Sequence, residues 1–141
     1  MGISPRYLVD KSAVARVHLE PVRAVLDPLM VHGRLATCAV VDLEVLFSTR
    51  TPDEYRSVLH RRRNNYTDLP VTPQVCARAM AVQHLLARRS QHRGAGVPDL
   101  LIAACAETHG VAVLHYDADF DLIAGVTGQP TRWVVPKGTV P

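Results

Sequence analysis

Residues 111–117 read Val111-Ala112-Val113-Leu114-His115-Tyr116-Asp117, a short apolar run that stops on a carboxylate. A continuous apolar run of this length fits a strand buried on both faces, the condition of a parallel sheet covered by helices. Just before it, Pro98-Asp99 opens a helix through Glu107 that Gly110 stops. A helix that hands the chain to a buried strand is part of a βαβ unit, and that pairing decides the fold class.

The same pattern recurs outward from this stretch. Residues 6–9 form a β-like run ending at Asp10, and residues 12–18 and 21–32 read as helical, with Pro21 in a first turn and Gly33 as a stop. Residues 35–38 lead into a helix over residues 39–48. There Val40, Val41, Glu44, Phe47 and Ser48 share a face, so Glu44 is expected to point with the apolar side and Asp42 toward solvent. Pro52-Asp53-Glu54 opens a helix that carries Arg61-Arg62-Arg63 and ends near Asn64-Asn65. Residues 69–72 are strand-like, and Thr72-Pro73 caps an amphipathic helix with the stripe Val75, Ala79, Val82, Leu86. A flexible Gly94-Ala95-Gly96 loop, a short helix over residues 119–124 and a last strand over residues 132–135 complete the pattern. The expectation is an α/β, three-layer domain with a mainly parallel central sheet flanked by helices, over residues 1–136, and a frayed tail at residues 137–141.

A chain of 141 residues suits one domain with a proper core. No apolar run approaches the ~20 residues of a membrane span, and residues 1–6 lack the apolar core of a signal peptide, so a cytoplasmic location is expected. Cys38, Cys76 and Cys105 are scattered in apolar segments and read as buried free thiols. His18, His32 and His84 read as helix-surface residues, and no zinc spacing is present. The net charge of +3 is carried almost wholly by arginine, since only Lys11 and Lys137 are lysines. Arginine forks onto phosphate, so the balance suits a nucleic-acid partner; a GC-rich genome would produce the same composition.

Four acids interrupt apolar stretches: Asp10, Glu44, Asp99 and Asp117. Taken singly, an Asp at a strand end is more often a turn or cap residue than a ligand. Together they fall where a parallel sheet binds ligands, outside the carboxyl ends of its strands, with Glu44 and Asp99 in first turns of helices starting at that edge. Helix N-termini there would help keep the acids ionised. An all-carboxylate set matches the hard cations Mg2+ or Mn2+, which lower the pKa of a bound water and stabilise charge on phosphate. Ser12 can donate to a carboxylate or a phosphate oxygen, and Asp119 is either a further ligand or the N-cap of the last helix.

Tyr7-Leu8-Val9-Asp10-Lys11-Ser12, Glu44-Val45-Leu46, Pro98-Asp99-Leu100-Leu101-Ile102-Ala103 and Tyr116-Asp117-Ala118-Asp119-Phe120-Asp121 resemble, in order, the four motifs of PIN-domain ribonucleases. Order, spacing and length are similar to the VapC toxins of bacterial VapBC toxin–antitoxin pairs, across essentially the whole chain. The resemblance implies a Mg2+- or Mn2+-dependent endoribonuclease acting on structured RNA such as tRNA or rRNA. It makes Asp10 and Asp99 the principal metal ligands, with Glu44 and Asp117 completing the site, Asp119 a further member and Ser12 the hydroxyl residue of the first motif. It also implies a homodimer and a VapB-type antitoxin partner. One departure is His115-Tyr116 before Asp117, where many relatives place Thr or Ser two residues ahead of the acid.

Two arginine groups stand at helix ends. Arg88, Arg89 and Arg93 adjoin the glycine loop before Asp99 and read as a phosphate-binding rim, whereas Arg61-Arg62-Arg63 could equally complement a helix dipole. Two other function classes compete. A receiver-type α/β binding domain would need an acidic pair after the first strand, where Lys11-Ser12 stands, and a late lysine, where Lys137 lies in the tail. A catalytically inactive PIN-like binding domain would be expected to have lost an acid.

Overall fold

The computed structural model describes residues 4–141. Met1–Ile3, part of the N-terminal stretch read above for a leader, lie outside the described residues. The chain runs β1 (Tyr7–Val9), α1 (Lys11–Val14), α2 (Glu20–Val31), β2 (Leu35–Thr37), α3 (Ala39–Phe47), α4 (Pro52–Asn65), β3 (Thr67–Asp68), α5 (Pro73–Ala87), α6 (Val97–Thr108), β4 (Ala112–His115), α7 (Asp119–Thr127) and β5 (Thr131–Trp133).

Every strand pairing is parallel and the sheet order is β3-β2-β1-β4-β5. Strand β1 is central, pairing Leu8 with Ala36 on one side and Val9 with Leu114 on the other. The pleat sends alternate residues to opposite faces. Leu8, Ala36 and Val113 join Val41 of α3, Val75, Val82 and Leu86 of α5, Ile102 of α6 and Phe120 of α7. Val9, Leu35 and Leu114 pack with Ala13 of α1 and with Val22 and Leu26 of α2. The result is the expected three layers. Chain order reverses between β1 and β4, so a crevice opens beyond the carboxyl ends of these two strands.

Several local expectations change. The strand expected over residues 69–72 lies earlier, at β3; Leu69 only donates its N–H to Thr37 O. On α3, Val41 and Leu46 are the buried positions, while Phe47 is 88% exposed, so the face shared by Glu44 is buried at Val41 and leaves the core before Phe47. Cys76 is exposed. Asp42 is not solvated. Its Oδ1 accepts from Arg62 Nε at 2.7 Å and from Thr37 Oγ1 at 2.9 Å, and Arg62, only 4% exposed, also donates to Thr37 Oγ1 and covers the Tyr66 ring. Arg62 therefore belongs to a buried network and not to a phosphate rim.

The Gly94-Ala95-Gly96 loop, expected to be flexible, is packed: Ala95 is buried, and a Cβ on Gly94 would stand 2.6 Å from Leu122 Cδ2 of α7. The tail is fastened instead of frayed. Tyr116 donates its hydroxyl to Val140 O at 2.8 Å and accepts the Gly138 N–H at 2.9 Å. No helix among the described residues is long and apolar enough to cross a membrane.

Candidate metal centre

Asp10 follows β1 as the N-cap of α1. Its Oδ2 accepts the Ser12 N–H at 2.9 Å, and its own N–H is held by Leu114 O of the adjacent strand. The residue is almost fully buried, and its Oδ1 has no hydrogen-bond partner among the described residues. An ionised oxygen left this way costs free energy unless a cation compensates it. Ser12 Oγ accepts the Tyr116 N–H at 2.8 Å, so this hydroxyl fixes α1 to the segment leaving β4.

Asp99 stands in the first turn of α6, whose N-cap position is Gly96, so Asp99 is not itself the cap. Asp117 Oδ1 accepts the Asp119 N–H at 2.9 Å, and the N-cap position of α7 is Ala118 without a side-chain bond, so Asp119 does not cap the helix either. Asp99, Asp117 and Asp119 each offer one oxygen, and these atoms lie within 4.8 Å of one another. Asp10, Ser12, Glu44, Asp99 and Asp117 line a common cleft of about 440 Å³. All the acids singled out in the sequence thus converge. Asp10 and Glu44 lie on the cleft but outside the tight group of three.

Electrostatics departs from expectation. Burial first, then the neighbouring Asp10 and a hydrogen bond that protonated Asp99 donates to Asp119, push the Asp99 carboxyl up to about 8. Glu44 is also raised, mainly by burial and by Asp10, with Lys11 opposing. It sits in the second turn of α3, further from the helix N-terminus than expected. Desolvation and crowding outweigh the helix termini, whose influence fades within one turn. Asp99 therefore keeps its proton at neutral pH unless a cation displaces it. The cluster's donors are all oxygen, as Mg2+ or Mn2+ requires, so the residues present fit a hard divalent ion.

Sequence reasoning missed Lys11 and Arg16, both on the cleft wall. Arg16 Nη1 donates to Ser12 O at 2.7 Å and its guanidinium covers the Tyr116 ring at 4.5 Å. Its spacing of four from Ser12 was the available signal. Arg88, Arg89 and Arg93 are exposed and do not line the cleft; the packed glycine loop connects them to α6.

The PIN domain family matches residues 7–126. Ribonuclease VapC21 of Mycobacterium tuberculosis is 46% identical over 139 residues, covering 97% of this chain and 99% of that protein. Ribonuclease VapC51 of the same organism is 46% identical over 135 residues, covering 96% and 97%. Among solved structures, DNA-bound VapBC from Salmonella typhimurium superposes with a TM-score of 0.76 at 16% identity, covering 93% of this chain and 99% of that one. VapBC2 from Rickettsia felis, bound to a promoter DNA fragment, gives 0.74 at 15% identity, covering 90% and 98%. Those two likenesses concern the fold. The near full-length identity carries the rest, and the chain belongs to the PIN-domain family, alongside the VapC ribonucleases.

Proposed function

We propose that this protein is a divalent-metal-dependent endoribonuclease, the toxin of a toxin–antitoxin pair, acting on structured RNA such as tRNA or rRNA. The observation that carries the reading is the convergence of Asp10, Glu44, Asp99 and Asp117 on one cleft, with Asp119 beside Asp99 and Asp117. Asp10 and Asp99 are the principal ligands of Mg2+ or Mn2+; Asp117 and Asp119 adjoin Asp99, and Glu44 completes the set. When bound, such an ion supplies a water of lowered pKa and stabilises negative charge on the phosphate under attack. The chain's own part is to hold oxygens in place. Ser12 N–H fixes one Asp10 oxygen and leaves the other unpartnered, while the Asp119 N–H orients Asp117. Asp99, whose carboxyl is pushed up to about 8, would have to give up its proton to serve as a ligand at neutral pH. Arg88, Arg89 and Arg93 form the rim that holds RNA phosphates.

The VapBC complexes named above support a VapB-type antitoxin partner; we propose that it covers the cleft and that the toxin is a homodimer. Purified protein should cut RNA with Mg2+ or Mn2+ and fall silent in EDTA. Cleavage that survives Asp10→Asn or Asp99→Asn unchanged would show that the assigned site is wrong.

A further inference from the structure

The segment that carries Asp117 leaves the sheet at His115 and has no strand beside it to hold its amides. Side chains take over that task. The Tyr116 N–H goes to Ser12 Oγ, the Asp117 N–H to His115 Nδ1 at 3.1 Å, and the Asp119 N–H to Asp117 Oδ1. His115 is 0% exposed, and its ring is wedged between Phe120 and Trp133, each with centroids 5.0 Å away. The ring cannot swing away from the Asp117 amide without disturbing both neighbours.

An Nδ1 that accepts a hydrogen bond carries no hydrogen, so the ring proton of the neutral imidazole sits on Nε2. That atom is buried and has no partner among the described residues. A residue present only to fill the core would avoid this penalty, since a phenyl ring fits the same stack without a buried orphan donor. We infer that His115 is a positioning residue of the metal centre: its Nδ1 holds the Asp117 backbone so that the Asp117 carboxylate meets Asp99 and Asp119. This rests on the metal-site reading given above.

The test separates packing from positioning. His115→Phe keeps the stack and removes both the acceptor and the orphan donor; His115→Asn keeps an acceptor, Oδ1, near the position of Nδ1 but packs worse. With Mn2+ as the probe, calorimetric titration should show about tenfold weaker binding for His115→Phe, the scale on which outer-shell partners act. Its melting temperature should equal or exceed that of the wild type. His115→Asn should melt lower yet bind Mn2+ within about threefold of wild type, since the acceptor is kept. Wild-type affinity in His115→Phe, or an equal loss in both variants, overturns the inference. A wild-type protein that binds Mn2+ with this pattern of variants but cuts no RNA would sink the ribonuclease reading alone. No Mn2+ binding by the wild type would remove the metal site and this inference with it.

Discussion

Asp99 and Asp119 bring carboxylate oxygens within 4.8 Å of each other, and a hydrogen bond to Asp119 helps to hold the proton on Asp99. Asp99 has been pushed from 3.8 up to about 8, which makes metal binding at neutral pH an exchange of ion for proton. Mn2+ binding at pH 7 should release about one proton from this group, falling toward zero above about pH 9. Titration in two buffers of different ionisation enthalpy measures it. Release that does not change with pH would contradict a protonated Asp99.

The same shift sets a stability trend. Below pH 3.8 Asp99 is protonated in both the folded and the unfolded chain, and its favourable contribution is complete. As pH rises toward about 8 the unfolded chain ionises first, so that contribution is lost. Asp99→Asn removes the titration. In EDTA at pH 8 this variant should melt a few degrees above wild type, while its Mn2+-dependent cleavage falls roughly a hundredfold or more. A melting point below wild type in EDTA would mean that the acid is not under electrostatic strain.

Asp10 and Asp117 were legible in the sequence because each closes an apolar run, and a buried parallel strand has a definite end where ligands bind. Asp99 was legible through Pro98, which marks a first turn. The environment of these acids was not. Helix-terminus arguments suggested ionised carboxylates, whereas burial and mutual repulsion, which exist only once the chain is folded, raise Glu44 and Asp99. Periodicity also misplaced Asp42, and the charge group left the role of Arg62 open, because a helical wheel describes one helix at a time. Their ion pair joins α3 to α4 across the end of β2. His115 was noticed as a departure, but the Nδ1 contact that gives it a task depends on ring orientation.

The Asp42–Arg62 pair supports the fold without entering the cleft. Arg62→Met fills similar space but removes the cation from Asp42 and the donor from Thr37 Oγ1, leaving Asp42 the Thr37 hydroxyl alone, so it should cost about 3 kcal/mol. Urea unfolding checks the loss. Asp42→Asn with Arg62→Met should recover part of it, because the uncompensated charge is gone. Mn2+ affinity should stay within about twofold of wild type, since neither residue lines the acidic cleft. A large loss of affinity would mean that this network orients Glu44.

The exposed arginines can be tested without knowing the RNA target. Each phosphate contact made with a single strand contributes about 0.7 to the slope of log affinity against log salt. In an Asp99→Asn background, where RNA binds without being cut, replacing both Arg88 and Arg89 by Ala should weaken binding to a labelled single-stranded RNA probe. It should also flatten the slope by about 1.4, the value for two lost contacts. Fluorescence anisotropy across a salt series reads both quantities. A loss of affinity with an unchanged slope would mean that the two residues act through local structure near α5 and the packed loop. An unchanged affinity and slope would remove them from the rim and leave Lys11 and Arg16, on the cleft wall itself, as the cations that meet the RNA backbone.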